Sequence, residues 1–151
     1  MELWLIRHGE TTWNRDGLIS GWSDPPLSEL GRQQAANLRA QLEPENFDGI
    51  WSSDLQRAIE TAELALASPK QDPRIRELNF GDLEKQSWVT ADDHWKTALL
   101  IFDGFQAPGG EHVDTFRERV LGFFETLVEQ YRQRHPEQDV SHGYIELAKP
   151  F

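Results

Sequence analysis

The chain has 151 residues, of which 38% are hydrophobic and 27% are charged, and its formal net charge is -11. This length and composition predict one soluble globular domain. The acidic balance excludes the basic surface that nucleic acids and anionic membranes require, and the lack of cysteine excludes disulfides, thiolate metal sites and cysteine nucleophiles.

The first predicted element is an almost continuous apolar run from Leu3 to Arg7, closed by the arginine itself. Such a run is typical of a buried strand in a parallel sheet, and open α/β sheets place their chemistry at the carboxyl ends of their strands. The run is too short for a signal peptide or a membrane span, so we expect a cytoplasmic protein that does not associate with membranes.

Three residues with complementary properties end this strand. Arg7 offers a planar set of donors suited to phosphate, His8 an imidazole whose charge is adjustable near neutral pH, and Gly9 space for a ligand close to the backbone. An Arg-His-Gly triplet alone is weak, because a lone histidine is more often structural than catalytic. The segment from Arg15 to Pro26 is predicted to be a loop over the strand end.

Two helices and a short strand follow. Apolar residues recur at helical spacing from Leu27 to Leu42, with Ser28 as the predicted N-cap, and an apolar strand is predicted around Ile50-Trp51. Ser53 and Gln56 fit a capping box that would open the next helix, which is predicted to run to about Ala67.

Arg57 lies in the first turns of that helix, where free backbone N–H groups and the helix dipole favour an anion. The alternative interpretation is a solvated surface charge. Asn14, Ser20 and Gly21 also have two interpretations, as contacts to an anion or as turn residues, because turns favour these residue types.

The second half is predicted to be mainly helical. The residues from Ser87 to Phe105 indicate a helix with a broad apolar face, interpreted as a cap, and Val113 to Arg134 indicate a core helix. Its predicted apolar stripe consists of Phe116, Val120, Phe123, Phe124, Leu127, Val128 and Tyr131. We interpret His112, His135 and His94 as surface residues or helix caps.

The motifs at the strand ends, taken together, resemble the histidine phosphatase superfamily, the phosphoglycerate-mutase-like enzymes. The resemblance runs from Leu3 to about Tyr131 and rests on Arg7-His8-Gly9-Glu10-Thr11-Thr12-Trp13-Asn14, Ser20-Gly21-Trp22 and Ser52-Ser53-Asp54-Leu55-Gln56-Arg57-Ala58. It implies an α/β fold with a mostly parallel central sheet flanked by helices, as a single domain over residues 1–151 with a cap-like insertion at 85–112.

The resemblance also implies roles for individual residues. His8 would be the nucleophile that forms a phosphohistidine, and Arg7, Arg57 and His142 would neutralise charge on the phosphate oxygens. Glu77, which precedes Phe80-Gly81, would donate a proton to the leaving oxygen, with Asp82 and Glu84 as nearby competitors. The matching substrate-phosphate contacts are Arg7, Asn14, Ser20, Gly21 and Arg57. No metal or cofactor is required.

The substrate implied by the resemblance is a small soluble phosphate ester. Lys85 and Lys96 are the only basic residues between positions 85 and 107, which disfavours a mutase holding a phosphoglycerate. The turn Pro108-Gly109-Gly110-Glu111 resembles phosphatase members, including alpha-ribazole phosphatases of cobalamin biosynthesis. The alternatives are a catalytically impaired phosphate-binding or regulatory relative and a phosphoglycerate mutase.

The carboxyl end departs from the family pattern. Val140-Ser141-His142-Gly143 looks like the second-histidine motif, but Val140 is the single apolar residue that could belong to the strand before it. Eight residues follow Gly143, fewer than the helices and strand that usually do. Tyr144 to Leu147 could supply a strand, and His142 would then stand at its start. The sequence leaves the oligomeric state open.

Overall fold

The computed structural model of the chain describes residues 1–137 and the backbone of residues 144–147. These residues contain four short strands and five α-helices. The strands are β1 (Glu2–Leu5), β2 (Trp51–Ser52), β3 (Lys70–Gln71) and β4 (Tyr144–Leu147). The helices are α1 (Thr12–Arg15), α2 (Glu29–Leu42), α3 (Gln56–Ala65), α4 (Asp93–Ile101) and α5 (Val113–Arg134).

The described strands form two parallel pairs. β1 pairs with β4 in a register that places Glu2 opposite Tyr144 and Leu5 opposite Leu147, and β2 pairs with β3. Parallel strands joined through helices are the α/β arrangement that was predicted, and the prediction that Tyr144 to Leu147 could supply a strand is confirmed.

The prediction that the first strand is buried is wrong. The ends of β1 are exposed, and Leu5 and Ile6 each retain 38% of their accessible surface. A central parallel strand is apolar because both of its faces and both of its edges are covered. Among the described residues β1 pairs with β4 alone, so this covering is incomplete.

Helices α2 and α3 pack against each other beside β1. Ser28 caps α2 as predicted, since its hydroxyl accepts a hydrogen bond from the Gly31 N–H. Leu38 and Leu42 of α2 pack with Ala65 of α3, and Trp4 of β1 lies against this cluster. Leu30, by contrast, is 51% exposed despite its place in the helical pattern.

A second apolar cluster forms the core on which the cap region packs. Its buried members are Ile19, Leu78, Leu83, Phe105, Ala107 and Val113. Helix α4 packs on it through Trp95, Ala98 and Leu99, which confirms the predicted helix, but α4 is shorter than the range from Ser87 to Phe105. Asp92 caps α4 at one end, and Phe102 ends it in the left-handed conformation at φ 53°.

The long helix α5 begins and ends where the apolar period predicts. His112 is its N-cap and accepts a hydrogen bond from the Asp114 N–H, and His135 stacks on Tyr131 at the other end, which confirms the predicted capping and surface roles. Most of the apolar stripe is half-buried, and Phe123 is its buried member. In the part of the chain that the structure describes, none of the helices combines the length and the apolarity that a bilayer crossing demands.

Candidate active site

His8 lies three residues beyond the end of β1, and its ring has a defined tautomer. Its Nδ1 is 2.7 Å from the Gly9 carbonyl oxygen. A carbonyl oxygen only accepts hydrogen bonds, so Nδ1 carries a proton, and in the neutral ring Nε2 then has the lone pair. Burial lowers the pKa of the imidazole, the Gly9 hydrogen bond opposes this, and Arg57 and Arg7 lower it further. Neutral His8 is therefore favoured, with its nucleophilic nitrogen unprotonated.

The backbone that follows His8 is held by two helices. The Gly9 N–H donates to the Thr61 hydroxyl at 3.0 Å, and this hydroxyl donates to the Arg57 carbonyl at 2.7 Å. The Glu10 N–H donates to the side-chain oxygen of Gln34 in α2 at 2.9 Å. The loop that carries His8 is thus anchored to α2 and to α3, which carries Arg57.

A close backbone approach completes this anchoring. A β-carbon on Gly9 would overlap the carbonyl oxygen of Gly31, and one on Gly31 would overlap the carbonyl oxygen of Glu10. Glycine at both positions lets the first turn of α2 lie directly against the His8 loop. The Ser28 hydroxyl, which caps α2, also donates to the Glu10 carboxylate at 2.6 Å.

The start of α3 does not use the predicted capping box. Leu55 occupies the N-cap position without a side-chain cap, and Ser53 accepts a hydrogen bond from the Leu55 N–H instead. The free N–H groups of Gln56 and Arg57 donate to the carboxylate of Asp24. A carboxylate from a loop 32 positions away therefore caps this helix. Its negative charge also interacts favourably with the positive end of the helix dipole.

Arg57 is 2% exposed. Its two terminal nitrogens donate to the carbonyls of Ser23 and Gly21, each at 2.7 Å, and Asp24 lies 3.6 Å away. Burial lowers the pKa of this guanidinium, while the carboxylates of Asp24 and two glutamates oppose that shift. The alternative interpretation of Arg57 as a solvated surface charge is therefore wrong.

The loop over the strand end places Ser20 and Gly21 beside this arginine. The Ser20 hydroxyl oxygen is buried and forms no hydrogen bond to the described residues, which leaves it available to a ligand. Gly21 has φ +56°, and a β-carbon there would overlap the Glu84 carboxylate. Glu84 in turn accepts hydrogen bonds from the N–H groups of Trp22 and Ser23. The Glu84 carboxylate, which was an alternative to Glu77 as the proton donor, thus stabilises the loop that contains Gly21.

Asn14 has a local partner. Its side-chain oxygen accepts hydrogen bonds from the Thr11 N–H and the Thr11 hydroxyl, and the Thr11 hydroxyl accepts from the Asn14 N–H. These bonds form the capping box of α1. The turn chemistry that was weighed against a phosphate contact is thus present at this residue.

Glu77 is exposed, and its carboxylate accepts a hydrogen bond from the Leu78 N–H at 2.7 Å. Its charge acts on both His8 and Arg57. The Glu77 carbonyl accepts one hydrogen bond from the Trp22 indole and another from Arg119, each at 2.8 Å. Two side chains distant in sequence therefore fix the segment that presents this acid.

The turn Pro108-Gly109-Gly110-Glu111 has a structural role beside the site. The Pro108 carbonyl accepts from the Asp82 N–H at 2.7 Å, and the Glu111 carboxylate pairs with Arg119 and accepts from the Asn79 N–H. The turn thus supports the segment between Glu77 and Asp82. Asp82 itself is exposed and contributes its backbone to this contact.

Two of the predicted site residues remain. Arg7 is exposed and forms no hydrogen bond or ion pair with the described residues, so its guanidinium is available to a ligand. His142 lies outside the described residues. Tyr144, at the start of β4, pairs with Glu2 at the amino end of β1.

Comparison with known protein families gives a match over most of the chain. The family model of the histidine phosphatase superfamily, branch 1, matches residues 3–145. The chain belongs to this superfamily.

Several histidine phosphatase relatives are similar along most of the chain. The fructose-2,6-bisphosphatase TIGAR B of Danio rerio is 34% identical over 88% of this chain and 55% of its own length. The probable phosphoglycerate mutase GpmB of Escherichia coli is 35% identical over 95% of this chain and 70% of its own length. The chain thus spans little more than half of the first relative.

Two solved structures share the fold. TTHB049 from Thermus thermophilus has a TM-score of 0.75 and 47% identity, over 81% of this chain and 71% of that one. YhfR from Bacillus stearothermophilus has a TM-score of 0.66 and 31% identity, over 99% of this chain and 74% of that one.

Sequence reasoning missed the residues that position this histidine phosphatase site. Thr61, Gln34, Asp24, Trp22 and Arg119 act on residues between 24 and 55 positions away. Local patterns contain no signal for such contacts. The nearest hint in the sequence is that Gly9 lies just before the start of α1 and Gly31 just after the start of α2. The importance of these positions becomes clear only when the two backbones are seen in contact.

Proposed function

We propose that the chain is a metal-independent phosphomonoesterase that hydrolyses a small soluble phosphate ester through a phosphohistidine on His8. The observation that carries this proposal is the His8–Gly9 hydrogen bond, which places the proton of the neutral ring on Nδ1 and therefore the lone pair on Nε2. The charged groups that act on the ring are Arg57, Arg7 and Glu77. The two arginines would bind the phosphate, and Glu77 would donate a proton to the leaving group.

The first step would transfer the phosphoryl group to the enzyme. Nε2 of His8 attacks phosphorus, the bond from phosphorus to the ester oxygen breaks, and Glu77 gives that oxygen a proton. Arg7 and Arg57 would stabilise the charge on the phosphoryl oxygens, and the Ser20 hydroxyl would donate to one of them.

The second step would release phosphate. The Glu77 carboxylate takes a proton from a water molecule, whose oxygen attacks phosphorus while the bond to Nε2 breaks. Inorganic phosphate leaves, and both His8 and Glu77 return to their initial protonation states. The Nδ1 proton stays hydrogen-bonded to the Gly9 carbonyl throughout, so one ring nitrogen does the chemistry and the other orients it.

Release of phosphate from 4-nitrophenyl phosphate in the presence of EDTA tests this mechanism. We expect turnover by the purified chain, loss of turnover in His8→Ala, and unchanged turnover in His94→Ala, which alters an exposed histidine of α4. Circular dichroism of each variant establishes that it is folded. A folded chain without turnover would refute the phosphatase proposal.

A second candidate is a phosphate-binding relative without turnover. The partial exposure of β1 favours it, because the strand that positions His8 has less support than a fully covered strand. This candidate predicts that inorganic phosphate raises the melting temperature of the chain although no ester is hydrolysed, and that the Arg57→Gln variant loses this shift.

The names of the relatives raise a third candidate, a phosphoglycerate mutase. It would move phosphate between glycerate hydroxyls, which an assay with 3-phosphoglycerate detects, and a phosphatase would release inorganic phosphate instead. Among phosphatase substrates, alpha-ribazole 5'-phosphate remains a specific prediction that rests on the turn at residues 108–111. Hydrolysis of this ester in preference to 4-nitrophenyl phosphate would support it.

A further inference from the structure

The arginines around Glu77 are paired with other groups of the protein. Arg76 forms a two-pronged salt bridge with Asp54 and stacks over the Trp22 ring at 4.7 Å. Arg119 pairs with Glu111 and also donates to the Glu77 carbonyl. Both guanidinium groups lie next to the site, and a carboxylate already balances the charge of each.

The cations of the cap and of the adjoining helix are engaged in the same way. Lys96 donates to the Val89 carbonyl and to Asp93, and Arg117 donates to Asp114 and to the Phe102 carbonyl. Lys85 is exposed, but the cations that act on His8 are Arg57 and Arg7. Apart from the exposed Lys85, the cations of the cap region and of the adjoining helix turn described above are therefore already paired within the protein.

Two carboxylates, Asp24 and Glu84, balance the cations Arg57 and Arg7 at the centre of the site when Glu77 holds the proton for the leaving group. Asp24, Glu77 and Glu84 all act on Arg57, and Arg7 is the other cation that acts on His8. The phosphate of a substrate would engage Arg7 and would compete for Arg57 with the Ser23 and Gly21 carbonyls. A second anionic group on the same substrate would then meet carboxylates without a cation to pair with, at the cost of its hydration.

We propose that the site selects phosphate esters whose leaving group carries no second anionic group, because the neighbouring cations are already neutralised by the protein's own carboxylates and carbonyls. This inference rests on the proposed phosphatase function and defines its substrate class. Discrimination would arise when the leaving group enters the site beside Glu77, so it affects kcat/KM more than the rate of phosphoenzyme hydrolysis.

A pair of esters of the same shape tests the proposal. We expect 3-carbamoylphenyl phosphate to be hydrolysed with a kcat/KM about tenfold above that of 3-carboxyphenyl phosphate at low ionic strength, since one like charge within a few ångströms is sufficient for such a ratio. A series of uncharged aryl phosphates corrects for leaving-group acidity. The ratio is expected to shrink in about 0.5 M NaCl, whereas a steric preference would not change.

Two variants make the test specific to charge pairing. Asp54→Asn removes the carboxylate that engages Arg76, next to Glu77, and we expect it to reduce the ratio between the two esters by about threefold. Asp72→Asn is the matched control, because it removes the partner of Arg74, whose guanidinium lies against Gly122 and Thr126 of α5. We expect this variant to leave the ratio unchanged.

The outcomes separate the two proposals. Equal kcat/KM for the two esters, after correction for leaving-group acidity, would overturn the substrate class and leave the phosphatase function intact. An equal loss of discrimination in both variants would also overturn it. Failure to hydrolyse any aryl phosphate would overturn the phosphatase function and this inference with it.

Discussion

The hydroxyl of Thr61 connects the two residues most important for the proposed chemistry. It accepts from the N–H that follows His8 and donates to the carbonyl of Arg57, and the residue is 4% exposed. A buried hydroxyl in this position fixes the distance between the nucleophile's loop and the helix that carries the phosphate-binding arginine. We regard Thr61 as a positioning residue.

Replacement of this hydroxyl is expected to lower activity and stability together. Thr61→Val keeps the shape but leaves the Gly9 N–H buried without a partner, which costs about 1–3 kcal/mol of stability. We expect kcat to fall about tenfold with a smaller change in KM, and Thr61→Ser to restore both within about threefold. Steady-state kinetics and urea denaturation measure these effects. Unchanged kcat in folded Thr61→Val would contradict the positioning role.

The lowered pKa of His8 predicts how activity and stability depend on pH. Neutral His8 is the nucleophile, so kcat/KM is expected to fall in acid with a midpoint below the ordinary histidine value of about 6.5. Because the unfolded chain binds this proton more readily, the folded state is stabilised above the unfolded pKa. That contribution is lost as the pH falls through the folded pKa.

An NMR titration of the His8 ring and denaturation curves of His8→Gln check both statements. The variant is expected to show a weaker loss of stability between about pH 6.5 and the folded His8 pKa than the unaltered chain. A His8 resonance that titrates above about 6.5 would show that the carbonyl of Gly9 and the carboxylate of Glu77 outweigh burial and the two arginines.

At the scale of elements, the contact between the His8 loop and the first turn of α2 depends on glycine. Gly31→Ala is expected to destabilise the chain by about 1–3 kcal/mol, because its methyl group would overlap the Glu10 carbonyl and push the two segments apart. Activity should fall with it, since the displaced segment carries His8.

A second helical glycine provides the control. Gly122 lies inside α5, and a β-carbon there meets no atom within 4 Å. Gly122→Ala is expected to stabilise the chain by up to about 1 kcal/mol, through helix propensity alone. Thermal denaturation compares the two variants. Similar effects from both would show that the backbone approach at Gly31 has no particular cost.

Helix prediction succeeded where the apolar pattern and a local cap agree. Ser28 caps α2 and His112 caps α5, and each of these helices ends close to the predicted residue. The predicted α3 and α4 are present, but the cap of α3 and the extent of α4 differ from the prediction. Asp24 caps α3 from a distant loop, and the predicted apolar continuation of α4 is interrupted by a left-handed Phe102, with Leu100 82% exposed.

At the scale of the whole molecule, the net charge of -11 repels the dianionic substrate that the site is proposed to bind. We expect kcat/KM for an uncharged aryl phosphate ester to rise about two- to fivefold as NaCl is raised from about 10 to 200 mM, because salt screens this repulsion. Chloride is the appropriate anion, since sulfate would compete with phosphate. A decrease with NaCl would show that Arg7 and Arg57 dominate the field that the substrate meets.

The amino-acid sequence by itself determined the α/β class, the main helices and the family. Apolar periodicity and the Arg7-His8-Gly9 motif are local properties that survive any rearrangement of the rest of the chain. The tertiary structure decided the His8 tautomer, the burial of Arg57 and the pairing of Arg76 and Arg119. The burial of Arg57 and the pairing of Arg76 depend on which distant carbonyls and carboxylates come within hydrogen-bond distance. The His8 tautomer depends on how the backbone turns the neighbouring Gly9 carbonyl, and no short-range pattern encodes either.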